Sequence, residues 1–322
     1  MAVYTEVSDA DLAAFLETYD IGGVRALKGI AEGVENSNFL LHTDAGEFIL
    51  TLYEKRVEAS SLPFFLALLD HLAERGLNCP RPVRARSGAS LGHLSGRPAA
   101  IVTFLDGVCR TRPSVGDCAR IGEALASLHR DAADFKGSRA NALSLSAWPQ
   151  LFAPLHFCAD DVEPGLAAAI AAELAFLKTS WPRDLPRGII HADLFPDNVL
   201  FLGEEVSGLI DFYFACTDDL AYDLAICLNA WCFERDGAFS LAKGLALFEG
   251  YQRVRRLTPA EAAAIPVLAR GAALRFVLTR LIDWLNVPAG ALVHPKDPLE
   301  YVRKLRFHQS IGDAKQLGFR PE

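Results

Sequence analysis

The hydrophobic pattern of the chain changes character after residue 105. Ahead of that point, Ser8-Asp9-Ala10-Asp11 caps a helix whose Leu12, Phe15, Leu16 and Tyr19 recur at helical spacing until Gly22-Gly23. Strand-like segments follow at 24–31, 37–43 and 47–53, separated by Glu32-Gly33-Val34-Glu35-Asn36 and Asp44-Ala45-Gly46, and they predict a three-stranded antiparallel sheet. Residues 62–75 place Leu62, Phe65, Leu66, Leu69 and Leu72 on one helical face, with Pro63 in the first turn and Gly76 at the end, so this helix should cover the sheet. A further strand over 97–105 runs into Asp106-Gly107, where a hinge is expected.

Helical spacing then takes over, at 115–129, 165–179, 220–231, 239–256, 259–286 and 299–309. One interruption stands out. Apolar runs at 199–202 and 206–210 flank Gly203-Glu204-Glu205 and read as a hairpin. The pattern predicts an α+β chain of two parts, a sheet-bearing 1–105 and a mainly helical 106–322.

The hairpin carries the chemistry. His191-Ala192-Asp193-Leu194-Phe195-Pro196-Asp197-Asn198 enters it and Ile210-Asp211-Phe212 leaves it, so pairing the two strands sets Asn198 and Asp211 at one open end, with Asp193 nearby. Phosphoryl transfer needs such a set, because its loose transition state asks for positioning and charge neutralisation more than for covalent help. Mg2+ prefers hard oxygen donors and takes one or two from the protein, which Asn198 and Asp211 supply; Asp193 is then the base for an acceptor hydroxyl. A metallohydrolase with His191 and Asp193 as ligands is the competing reading, but no further ligand motif such as His-Glu-x-x-His occurs.

Composition narrows the class. The 322 residues are 51% hydrophobic with a net charge of −8 and a pI near 5.5, which argues against nucleic acid or an anionic membrane as partner. Seven scattered cysteines without a Cys-x-x-Cys pair read as reduced thiols, and residues 1–6 lack a basic and apolar leader, so a cytoplasmic enzyme is expected.

The interval from Asp193 to Asn198, followed by Asp211-Phe212, resembles the catalytic loop and metal-binding segment of protein kinases. Tyr213 stands where those have glycine, the loop begins His-Ala-Asp, and no Ala-Pro-Glu follows, so the chain is more similar to the aminoglycoside-phosphotransferase-like small-molecule kinases. That resemblance implies a protein-kinase-like fold of two lobes, with ATP and Mg2+ as cofactors and Asp193 and His191 in the catalytic loop. It implies phosphate contacts from Gly33, Asn36, Ser37 and Asn38, and adenine contacts from the backbone of Thr103, Phe104 and Leu105. The strand cation of that family is replaced by Thr51, so either Lys55 or Arg56 substitutes or Mg2+ meets the charge. An acid at Asp223 would steady the loop backbone, and His129 reads as a packed or capping side chain.

Over nearly its whole length, including 48–56, 191–198, 273–284 and 296–308, the chain resembles homoserine kinases of this fold. The resemblance implies an amino-acid substrate, phosphorylated on its hydroxyl. An α-amino acid needs a carboxylate for its ammonium and a cation for its carboxylate. Arg275, Arg280, Asp283 and Asp218 are the candidates. Two other readings stay open: a choline, ethanolamine or other amino-alcohol kinase with an aromatic cage of Trp231, Tyr213 or Trp284, and a nucleotide-binding regulator without chemistry.

Overall fold

The computed structural model describes residues 5–30, 36–54, 58–286 and 295–321. Helix α1 (Asp9–Leu16) is capped by the Ser8 hydroxyl, which accepts from the Asp11 amide. Strands β1 (Val24–Gly29), β2 (Ser37–Thr43) and β3 (Gly46–Leu52) pair antiparallel as expected, and β4 (Gly92–Leu94) and β5 (Arg97–Thr103) extend the sheet to five strands in the order β1-β2-β3-β5-β4. The strand expected over 97–105 is β5, whereas β4 was not expected, because its three residues, Gly-His-Leu, are too short for a period to show.

Alternate residues of β2 and β3 point to opposite faces, so the sheet carries two apolar surfaces. Phe39, Leu41, Leu50 and Ile101 pack under α1, whereas Tyr53 and Ala100 meet Leu62, Phe65 and Leu66 of α2 (Leu62–Glu74). Leu68, Leu69 and Leu72 of α2 belong instead to the core of the helical lobe. Helix α2 is thereby wedged between the lobes, and each such buried leucine contributes roughly 1.5–3 kcal/mol.

After β5 the chain forms β6 (Val108–Cys109) and α3 (Val115–Asp131), whose start carries a reciprocal Ser114/Asp117 capping box. Helices α4 (Trp148–Phe152) and α5 (Leu166–Ser180) lead to β7 (Arg187–Ile190), and β8 (Val199–Leu202) with β9 (Glu205–Leu209) forms the expected hairpin. β6 adds to the outer edge of that hairpin, and β10 (Cys216–Asp219) pairs with β7. Helices α6 (Leu220–Trp231), α7 (Leu241–Val254), α8 (Pro259–Leu285) and α9 (Pro298–Gln309) complete the lobe.

Two packing contacts matter for the site. Gly122 of α3 and Gly250 of α7 let the helix backbones touch, since a Cβ would lie 2.2 Å from Leu247 O at the first and 1.9 Å from Ala119 O at the second. That approach brings Tyr251 to His129. Helix α8 is long and apolar enough to cross a membrane, but 78% of its apolar stretch is buried and Arg270 within it forms a bidentate pair with Glu173 at 2.7 and 2.6 Å. It is the central core helix.

Candidate active site

β7 and β8 hold residues 191–198 between them as a loop. The Asn198 amide group donates to Asp193 O at 2.8 Å and to Asp193 Oδ2 at 3.2 Å, while the Ile210 amide donates to Asn198 O at 3.0 Å. The last bond places Asp211, the next residue, beside the Asp193–Asn198 pair, as the hairpin expectation required. Asp193 is half-buried; Asp211 is exposed. Desolvation pushes the Asp193 carboxyl up to about 6, against the pull of Arg275, with Asp197 adding to the rise and Lys296 opposing it.

The loop is braced by a buried network. Ala192 has φ 64°, a left-handed conformation that costs a non-glycine residue roughly 1 kcal/mol or more. Asp223, at the start of α6, accepts from the Ala192 amide at 2.9 Å and from the His191 amide at 2.7 Å, and Arg275 donates to Ala192 O from the other side. His129 Nε2 donates to Asp223 at 3.1 Å, its Nδ1 accepts from the Tyr251 hydroxyl at 2.8 Å, and Arg255 donates to that hydroxyl at 3.0 Å. Arg255 in turn donates to Glu261, the capping acid of α8. Burial would raise the Asp223 carboxyl, but the His129 bond and the His191 amide overcome it and hold the group below its usual value. Sequence reasoning placed Asp223 at the loop backbone and His129 as a packed side chain; both stand there, and the link between them through 94 residues had no local signal.

The other candidate residues are placed as follows. His191, assigned to catalysis, is 0% exposed; its Nε2 donates to Ile210 O at 3.0 Å and its Nδ1 accepts from the Asp193 amide at 3.2 Å. Burial lowers its pKa, so the ring is neutral and shapes the loop, with Phe212 against it at 4.7 Å between ring centres. The same bonds remove it as a metal ligand. Arg275 is 1% exposed and occupied with Ala192 O. Arg280 donates to Asp297 O at 3.0 Å and Glu300 at 2.7 Å, tying α8 to α9. Both guanidinium groups lie buried with partners inside the protein, as polar groups on an apolar helix must. Asp218 accepts from Asn141 at 2.7 Å on β10, and Asp283 is exposed near the end of α8.

On the nucleotide side, Asn36 and Ser37 are buried and Asn38 is half-buried. Ser37 donates to Glu54 at 2.8 Å, Asn36 accepts from the Glu54 amide at 3.3 Å, and Asn38 accepts from the Thr51 hydroxyl at 2.8 Å. Ser37 and Asn38 already belong to β2, where pleat alternation turns Ser37 inward and these side chains bond within the sheet. Thr103 uses its amide and hydroxyl on Arg81, both at 2.9 Å. Gly33, Lys55 and Arg56 lie outside the described residues. Tyr213, in the glycine position of the kinase motif, reaches the other lobe: its hydroxyl donates to Tyr53 at 3.3 Å and its ring meets Phe65 edge-on at 5.7 Å. Trp231 is buried and donates to Leu194 O at 2.7 Å, so with Tyr213 so engaged these rings build no common cage.

Two lobes with a carboxylate, an amide and a second acid grouped on one loop and hairpin make an arrangement suited to phosphoryl transfer. The chain belongs to the phosphotransferase enzyme family, which matches residues 26–257. Within it, the chain is 74% identical over 318 residues to a homoserine kinase of Methylocella silvestris and 65% identical over 318 residues to that of Beijerinckia indica subsp. indica, covering 99% of both chains in each case. Among solved structures, an amicoumacin kinase in complex with AMP-PNP and Ca2+ superposes with a TM-score of 0.72 at 13% identity, over 96% of this chain and 97% of that one. A microcompartment-associated aminopropanol kinase gives 0.64 at 18%, over 97% and 98%. These two establish the fold, and the protein-kinase-like α+β expectation holds.

Proposed function

We propose that the protein transfers the γ-phosphoryl group of ATP to the side-chain hydroxyl of L-homoserine, giving O-phospho-L-homoserine on the route to threonine in the cytoplasm. Full-length similarity to homoserine kinases supports the substrate, and the contact of Asn198 with Asp193 beside Asp211 carries the chemistry. The boundary between nucleotide and substrate lobes falls between 105 and 106. There the Ser207 hydroxyl donates to Asp106 O at 2.6 Å and fixes the hinge to β9.

The acceptor hydroxyl oxygen forms a bond to the γ-phosphorus as the bond from that phosphorus to the ADP oxygen breaks, and the hydroxyl proton passes to Asp193. Mg2+ supplies charge neutralisation on the triphosphate. Asn198 and Asp211 would hold it: the Asn198 NH2 is turned to Asp193, so its carbonyl oxygen would be the ligating atom, and Asp211 is exposed at the same end of the hairpin. A pure nucleotide binder has no use for a braced base at Asp193. The test is ATP turnover with L-homoserine, choline, ethanolamine and an aminoglycoside. Homoserine should be phosphorylated with by far the highest kcat/KM, and turnover of choline without homoserine would refute the assignment.

A further inference from the structure

The proposed substrate is a zwitterion, and three cations of α8 and α9, among them the two picked from the sequence to receive it, are buried in the scaffold. Arg275 clamps Ala192, Arg280 binds Asp297 and Glu300, and Lys304 donates to Asn229 O at 2.9 Å and to Glu300 at 2.6 Å. Lys296 differs from all three. It stands just ahead of α9, its side chain is 63% exposed, and its ammonium pairs at 3.0 Å with Asp197, inside the catalytic loop and four residues after Asp193. The ammonium also lies 5.4 Å from the centre of the Phe195 ring, which packs on Phe276 at 4.9 Å and fixes that side of the loop. Asp197 and Lys296 are both close enough to Asp193 to act on its carboxyl, in opposite directions.

We propose that the Lys296–Asp197 pair is the receptor for the α-amino and α-carboxylate groups of the substrate, a reading that rests on homoserine as the acceptor. An exposed ion pair contributes little to folding, so exchanging its partners for those of a zwitterion sacrifices little stability. Lys296 takes the carboxylate and Asp197 the ammonium. In an extended homoserine the carboxylate carbon lies on the order of 5 Å from the hydroxyl oxygen, by simple bond lengths. A hydroxyl delivered to Asp193 therefore leaves both charged groups close to the loop's outer edge, where this pair stands. Selectivity then arises from charge matching within the catalytic loop itself, and an amino alcohol lacking the carboxylate leaves Lys296 without its new partner.

The test crosses two variants with three acceptors: L-homoserine, 3-aminopropan-1-ol, which lacks the carboxylate, and 4-hydroxybutanoate, which lacks the ammonium. Lys296→Gln should raise KM for homoserine roughly 10- to 100-fold, the loss of a charge-assisted bond, with kcat falling much less and KM for ATP moving under about two-fold. Its kcat/KM for 3-aminopropan-1-ol should stay near the wild-type value, and Lys296→Arg should recover part of the loss. Asp197→Asn should show the mirror pattern, penalising homoserine while sparing 4-hydroxybutanoate. An unchanged homoserine KM in Lys296→Gln, or equal losses on all three acceptors, would overturn the receptor while leaving the kinase assignment standing. A wild-type protein inactive on homoserine would overturn both.

Discussion

The two sides of the cleft are built on different principles. On the helical side, Asp193, Asn198 and Asp211 project from a loop and hairpin anchored by buried groups, with Asp223, His129, Tyr251 and Arg255 in an unbroken hydrogen-bonded line beneath Ala192. On the sheet side, the strand position that carries a cation in the broader family is Thr51, and its hydroxyl serves the sheet through Asn38. Glu54 there accepts from Thr5 at 2.6 Å and Ser37 at 2.8 Å and pairs with Arg97 at 3.2 Å. Thus the helical side has little freedom to vary, while the described polar side chains of β2 and β3 at that end are bonded within the sheet. Contact between the two runs through Tyr213 and through Arg139, which donates to Ser61 ahead of α2 and to Ala215 O after the second acid.

That asymmetry can be broken at graded points. Asp193→Asn should lower kcat about 10²- to 10⁴-fold, with ATP affinity measured by titration calorimetry nearly unchanged. Asp223→Ala leaves the amides of His191 and Ala192 and the His129 ring without their acceptor in the core, and should destabilise the fold by about 3–5 kcal/mol in denaturant unfolding. Tyr213→Phe removes one inter-lobe hydrogen bond while retaining the ring against Phe65, so a loss of ~1 kcal/mol and a several-fold rise in KM for ATP are expected. Thr51→Val should be the mildest, at ~1 kcal/mol or less and under about three-fold in any kinetic constant. A hundred-fold loss there would mean that the sheet side carries chemistry after all.

Legibility in the sequence followed the same division. Asp193, Asn198 and Asp211 could be read as a group because their spacing is local and the strands beside them are apolar, and the main helices could be read from their period. β10 could not, because Cys216-Thr217-Asp218-Asp219 has no apolar alternation and is a strand only by pairing with β7. Arg275 and Arg280 were visible as anomalies on an apolar helix, but only the fold shows that their partners are Ala192 O and Glu300 rather than a ligand. The Lys296–Asp197 pair spans 99 residues, and nothing near either end announces the other.

The pH dependence of kcat/KM for homoserine bears on the base assignment most directly. Asp193 must be ionised to accept a proton, and burial raises its carboxyl to about 6, so activity should be full above that pH and fall about ten-fold per unit below it. The residual rate of Asp193→Asn should lack this acid limb. A limb near 6 that persists in the variant would assign the proton transfer to another group and contradict the account.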